Sequence, residues 1–316
     1  MPARSYRAFS DQRGGYIGRV PPLPPPRADG RTTTTAVPLY WAAYGPEGAP
    51  QLLVLHGGPG AHHDYLLPQM LELASDHELI FYDQRGGGRS RTDDREPITW
   101  KTHVDDLSAI VTELTRGALS IVGYSWGGLL ALLHLVTSAS GSVTPPVRLV
   151  LIDPAPATRQ YRSRFEQELA RRQAGPAVAA LREELAASGL RERDPDEYRQ
   201  RMFAISVAGY FAKPEAACDL TPFRVLARAQ QSVWESLGEF DTVADLGAVV
   251  SPPPTLVVHG REDPIPLESS EQTASALGAR LVVIEDSGHV PYVEQPRALF
   301  AAVRAFLDET AHLARG

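Results

Sequence analysis

Three side chains define the chemistry this chain could do: Ser125, Asp263 and His289, in that order along the sequence. A serine hydroxyl is a weak nucleophile at neutral pH. It needs an imidazole to take its proton, and a carboxylate to hold that imidazole in one tautomer and stabilise the cation that forms. With those partners it can attack an acyl carbon and form a covalent ester. Ser125 is the centre of Gly123-Tyr124-Ser125-Trp126-Gly127, which follows the apolar run Leu119 to Val122 and opens into another, Leu129 to Val136. That order reads as strand, sharp turn and helix. The serine sits at the apex, and the flanking glycines are small enough to let strand and helix approach.

Gln51 to Leu55 reads as a short buried strand ending in His56-Gly57-Gly58-Pro59-Gly60, a glycine-rich turn whose backbone amides can face an anion. The N–H of Gly58 and that of Trp126, first in the helix after the serine, are the expected donors to an oxyanion. Losing one such donor typically costs roughly 2.7–4 kcal/mol of barrier. Downstream, the β-branched run Thr255 to Val258 ends in His259-Gly260-Arg261-Glu262-Asp263-Pro264, and Arg280 to Ile284 ends in Glu285-Asp286-Ser287-Gly288-His289. Asp263 and His289 therefore fall just past neighbouring strand ends. Asp153, after the strand-like Arg148 to Ile152, is a second strand-end acid and stays open as the orienting carboxylate, whereas Asp286 lies too close to His289 on the same loop. His56 reads as a loop brace. His62, His63, His77 and His103 read as surface or cap histidines, and His134 as a hydrogen-bonded core residue.

Together with Asp83-Gln84-Arg85-Gly86-Gly87-Gly88-Arg89-Ser90, these motifs make the chain resemble the α/β-hydrolases of the proline iminopeptidase-like group. The matching residues are spread over almost the whole catalytic scaffold. The resemblance implies an α/β fold class, with a mainly parallel central sheet, helices on both faces and an inserted helical lid. It implies Ser125 as nucleophile, Asp263 as orienter, His289 as base, and Gly58 and Trp126 as the oxyanion hole. It also implies that Asp83 and Arg85 brace the floor of the site. The reaction it implies is release of an N-terminal residue from a short peptide, without metal or organic cofactor.

Two departures from that group bear on substrate. Glycine typically precedes its nucleophile; here the position is Tyr124, whose ring is expected at the pocket floor. The group reads a free amino terminus with glutamates supplied mostly by the lid, in a sequence context that is not recognisable here. Glu235 and Glu239, in Trp234-Glu235-Ser236-Leu237-Gly238-Glu239-Phe240, are the nearest candidates, with Trp234 as a neighbouring contact. The alternative is a carboxylesterase, lactonase or amidase of small molecules, which needs only an apolar pocket. A third class is a ligand receptor on the same scaffold. Ser125 argues against dehalogenase and epoxide hydrolase chemistry, which would put aspartate at its position.

The elements that must position these residues follow from periodicity. Strands near 51–55, 78–82, 119–123 and 148–152 alternate with helical segments, a βαβ pattern that implies a parallel sheet covered on both faces. Val104, Leu107, Val111 and Leu114, and later Leu299, Phe300, Val303, Phe306 and Leu307, recur at helical spacing. Thr32 to Tyr44 has the composition of early strands. The organisation expected is a proline-rich arm at 1–30, a catalytic domain at 31–156 and 251–316, and a helical lid at 157–250, where arginine, glutamate and alanine replace any strand pattern. Tyr198, Phe203, Tyr210, Phe211, Phe223 and Trp234 are its candidate pocket aromatics.

The 316 residues, 43% hydrophobic and 22% charged, suit a globular enzyme. A formal charge of −7 removes the usual electrostatic basis for nucleic-acid binding. No apolar window reaches the roughly 18 residues of a membrane helix. The single cysteine, Cys218, and the absence of a secretory pattern near Met1 lead to the expectation of a cytoplasmic protein. No metal-ligand spacing or dinucleotide fingerprint is present. Oligomeric state is left open.

Overall fold

The computed structural model describes residues 23–93, 96–138 and 145–313, so most of the expected arm, residues 1–22, lies outside the described residues. Eight strands form one sheet: β1 (Ala28–Arg31), β2 (Tyr40–Tyr44), β3 (Gln51–Leu55), β4 (Glu78–Tyr82), β5 (Ser120–Tyr124), β6 (Arg148–Ile152), β7 (Thr255–Gly260) and β8 (Arg280–Ile284). Their spatial order is β1-β2-β4-β3-β5-β6-β7-β8. The pairs β1–β2 and β2–β4 are antiparallel and all others parallel.

Alternation along each strand divides the core in two. Leu52, Val54, Phe81, Val122, Val150, Ile152, Leu256 and Val258 face one side. Leu53, Leu55, Ile80, Ile121, Leu149, Leu151 and Val257 face the other. Helices α1 (Trp100–Leu114), α2 (Trp126–Ser138) and α9 (Leu267–Leu277) cover the second face. Helix α11 (Pro296–Leu313) covers the first, burying Leu299, Phe300, Val303, Phe306 and Leu307, each worth about 1.5–3 kcal/mol in transfer free energy. A reciprocal capping box starts α1: the Thr99 hydroxyl accepts from the Thr102 N–H at 3.1 Å, and the Thr102 hydroxyl accepts from the Thr99 N–H at 3.2 Å.

Between β6 and β7 the chain makes helices α3 (Arg159–Gln173), α4 (Pro176–Ala187), α5 (Leu190–Arg193), α6 (Pro195–Val207), α7 (Ala227–Leu237) and α8 (Thr242–Leu246), with no strand among the described residues. Helix α10 (Pro291–Glu294) follows β8. Local hydrogen bonds set several of these starts: Thr158 accepts from the Tyr161 N–H, Asp194 from Glu197 and Asp241 from Ala244.

The N-terminal region differs from expectation in two places. Strand β1 begins at Ala28, inside the stretch read as an arm, because Ala28 to Arg31 pairs along the free edge of β2. Thr32 to Leu39 is not strand. Three of its backbone donors find side-chain partners instead: Leu39 donates to the Thr32 hydroxyl, and Thr33 and Thr34 donate to the Glu113 carboxylate at 2.7 and 2.9 Å.

Candidate active site

Ser125 stands between β5 and α2 with φ of +52°, a conformation an L residue adopts only when its surroundings impose it. The surroundings here are backbone hydrogen bonds. Ser125 N–H donates to the Ile152 carbonyl at 3.0 Å, and its own carbonyl accepts from Gly128 and Ala155 at 2.9 Å each. A Cβ on Gly127 would strike the carbonyls of Leu55 and His56, so only glycine lets α2 start this close to β3. The hydroxyl thus stands above the carboxyl end of the sheet.

The loops after β7 and β8 meet it there. His289 Nε2 lies 2.9 Å from Ser125 Oγ, and His289 Nδ1 lies 2.8 Å from Asp263 Oδ2. The other Asp263 oxygen accepts from the Ile265 N–H at 2.7 Å. Burial lowers the His289 imidazole to about 4 and raises the Asp263 carboxyl, both because charge is disfavoured away from water. The imidazole therefore rests neutral. Asp263 is the acceptor that fixes the proton on Nδ1, leaving Nε2 to accept from the serine.

Gly58 and Trp126 line the same cavity as Ser125, and among the described residues neither backbone N–H has an acceptor within the protein. The neighbouring Gly57 N–H is taken by the Tyr65 hydroxyl at 2.6 Å. The motif that follows β4 braces this floor. Gln84 donates to the His56 carbonyl, its N–H donates to His56 Nε2, and its side-chain oxygen accepts from the Trp126 indole at 2.9 Å. Asp83 accepts from the backbone and ring of His63 and from the Arg89 N–H, and Arg85 pairs with Asp106.

The cavity, about 730 Å³, has the sheet edge as its floor and α3 and α7 as walls. Trp234, Glu235 and Glu239 line it, with the Trp234 ring 5.0 Å from that of Trp126 and the Arg162 guanidinium 3.5 Å above Trp234. Glu235 accepts from the Gln231 amide at 2.7 Å. Sequence reasoning missed Arg159, Arg162 and Phe165. Their three-residue spacing on an otherwise polar helix is the one signal they carry, and Phe165 packs 6.5 Å from the His289 ring.

Other expectations are corrected. Tyr124 does not line the cavity. As the last residue of β5 it points beneath the sheet edge, 5% exposed, with its hydroxyl donating to the His289 carbonyl at 3.0 Å and its ring against Tyr65 and Tyr292. Of the aromatic candidates, Tyr210 and Trp234 reach the cavity, while Tyr198, Phe203, Phe211 and Phe223 pack elsewhere in the core. His63 and His103 are buried, not superficial, each held by a hydrogen bond. His134 is fully buried, and among the described residues neither ring nitrogen has a partner.

Asp153, His259 and Asp263 bring ligand atoms within 4.8 Å of one another, the one such cluster among the described residues. Protein hydrogen bonds occupy most of those atoms. Asp263 serves His289 and Ile265, and His259 Nδ1 accepts from the Ser270 hydroxyl at 2.9 Å while Nε2–H donates to the Ile265 carbonyl at 3.1 Å.

A family model described as "Alpha/beta hydrolase family" matches residues 52–303. The proline iminopeptidase of Heyndrickxia coagulans is 28% identical over 284 residues, covering 83% of this chain and 91% of the relative. The solved proline iminopeptidase of Mycobacterium smegmatis superposes with a TM-score of 0.65 at 22% identity, over 91% of this chain and 100% of that one. The enol-lactonase of Burkholderia xenovorans LB400 gives 0.61 at 19% identity, over 88% and 100%. The two structural likenesses speak to the fold. No helix among the described residues is long and apolar enough to cross a membrane.

Proposed function

The chain belongs to the alpha/beta hydrolase family, and on that premise we propose that it is a serine hydrolase that cleaves an ester or amide bond of a small substrate through Ser125, His289 and Asp263, with release of an N-terminal residue from a short peptide as its reaction. The 2.9 Å contact between Ser125 Oγ and His289 Nε2, beside two unpaired backbone N–H groups, is the observation that carries this reading.

His289 takes the hydroxyl proton as Ser125 attacks the carbonyl. The oxyanion accepts from Gly58 and Trp126, donors already in place and needing no reorganisation. Asp263 stabilises the imidazolium without taking its proton. The imidazolium then protonates the leaving group, and a water deprotonated by His289 releases the acid and restores the serine. The helices within 157–250 act as a cap that narrows the cavity and selects the substrate. Glu235 and Glu239 on its wall are the groups that would hold a free amine, and the similarity to proline iminopeptidases supports that choice.

Esterase or lactonase action is the second reading. It is favoured by the exposed position of both glutamates, where water competes for the amine. The test compares rates on proline arylamide, its N-acetylated form and a short-chain aryl ester, with Ser125→Ala as blank. Cleavage of the free-amine arylamide, abolished by acetylation, supports the peptidase. Ester turnover alone overturns it in favour of the second reading.

A further inference from the structure

Beneath the site, the end of β6 carries a carboxyl group that the reaction above leaves without a task. Asp153 is 0% exposed, has φ of +41°, and sits between β6 and β7 with its N–H donating to the Val258 carbonyl at 2.8 Å. Its Oδ1 accepts from the Gly260 N–H at 2.7 Å. Its Oδ2 is buried and, among the described residues, meets no donor.

Among the described residues no lysine or arginine pairs with it. His259 Nδ1, 3.9 Å from Oδ1, carries no proton to give, since Nε2–H is donated to Ile265 and Nδ1 accepts from Ser270. Among the described residues the remaining groups around the pair of acids are Tyr124, Tyr210 and Tyr292, all raised by burial and therefore neutral, the neutral His289, and Arg172 and Glu294, which act on Asp263. The Arg172 guanidinium is engaged with the Glu262 carbonyl.

Two buried carboxyl groups within 4.8 Å cannot both ionise; one keeps a proton. Asp263 accepts from Ile265 and from His289, whereas Asp153 accepts from one N–H only, so the charge belongs on Asp263 and the proton on Asp153. We propose that Asp153 is a protonated carboxylic acid whose Oδ2–H donates to the Asp263 carboxylate, which makes it a positioning residue that extends the triad by one hydrogen bond. An orphaned oxygen becomes a donor and the burial of Oδ2 is satisfied. The bond fixes the rotation of the Asp263 carboxylate and reduces its basicity, so the proton stays on His289 Nδ1 when the imidazolium forms.

The inference rests on the triad reading for its catalytic consequence, and its test separates the two. Infrared difference spectra of wild type against Asp153→Asn at neutral pH should show the carbonyl stretch of a protonated carboxylic acid in wild type, retained in Ser125→Ala. If Ser125→Ala keeps the band and also keeps activity, the triad reading fails while this one stands. Asp153→Ala should lower kcat on the order of tenfold to a hundredfold, the loss of one hydrogen bond to a charged group, with KM little changed. It should also move the acid limb of kcat/KM to higher pH. Asp153→Asn, whose amide donates to Asp263 and accepts from Gly260, should recover most of kcat and the original limb, and it serves alone if the alanine variant does not fold. Absence of the band, or an asparagine variant as impaired as the alanine one, overturns the proposal.

Discussion

Strands β3 to β7 are buried on both faces almost throughout, whereas helices α3, α4 and α6 above them bury little: Tyr161 on α3, Val178 and Leu185 on α4, Ala204 and Ile205 on α6. The cap helices are laced instead by near-neighbour ion pairs, such as Arg162 with Glu166, Arg172 with Glu168 and Arg201 with Glu197. Such pairs, four residues apart on one helix, contribute about 0.3–0.5 kcal/mol each. The sheet edge is therefore held by packing on both sides, and the helices between β6 and β7 depend more on local pairs. Beside the histidine the two are joined by hydrogen bonds. His289 N–H donates to the Tyr210 carbonyl at 2.8 Å, and Glu294 accepts from Ala212 of the cap at 2.8 Å and from Gly288 of the histidine loop at 2.7 Å.

Changes at the sheet edge should abolish chemistry, while changes in the cap should alter selection. The largest expected effect is that of Ser125→Ala, a loss of kcat on the order of 10⁴- to 10⁶-fold on an activated ester, with no acyl-enzyme in rapid-quench mass spectrometry. Substantial residual turnover would move the nucleophile elsewhere. Asp263→Asn should follow at about 10⁴-fold, by presenting the wrong imidazole tautomer. Steady-state kinetics beside Asp153→Asn decide which strand end supplies the acid, and a greater loss at Asp153 would reverse the assignment.

Gly288→Ala probes the seam. Its Cβ would collide with the Tyr210 carbonyl and lie 2.7 Å from the Ala212 nitrogen. Overpacking of this kind costs about 1–3 kcal/mol, so Tm should fall and kcat with it. An unchanged melting curve would mean that the cap yields freely at this contact. In the cap itself, Glu235→Gln should raise KM for a free-amine arylamide by roughly tenfold, in line with one lost charged hydrogen bond, and leave aryl-ester KM unchanged. Equal effects on both substrates would remove Glu235 from amine recognition.

The smallest effect is on stability against pH. Burial lowers His56, His103, His134, His259 and His289 to about 4, below their ordinary 6.5. Between these values the unfolded chain binds protons that the native one refuses, so stability present above pH 6.5 is lost as pH falls toward 4. Asp106, raised by burial to about 6, and Asp263 and Asp153, raised likewise, oppose this in part, since the native state takes up their protons first. A melting temperature that stays flat or rises from pH 7 to 5 would show that these rings are solvated.

The contrast between the regions also explains what could be read in the chain. Strands buried on both faces leave unbroken apolar runs, so Gln51–Leu55, Glu78–Tyr82, Arg148–Ile152 and Arg280–Ile284 are seen with their observed bounds, and β5 is displaced by a single residue. The region between β6 and β7 shows mainly as a lack of strand pattern, because α3, α4 and α6 bury too few residues to leave a stripe, whereas α7 does carry one in Ala229, Val233 and Leu237. Tyr124 was misplaced because motif position says which residue precedes the serine but not which face of the strand its ring takes.

The sequence by itself determined the order of the reactive residues, the glycine-bounded turns that present them and the alternation of strand and helix, since these depend on neighbours along the chain. Tertiary structure alone puts Asp263, and not Asp153, beside His289. Both stand at strand ends, and only the parallel register of β6, β7 and β8 brings one within 2.8 Å of His289 while burying the other among groups that give it no compensating charge.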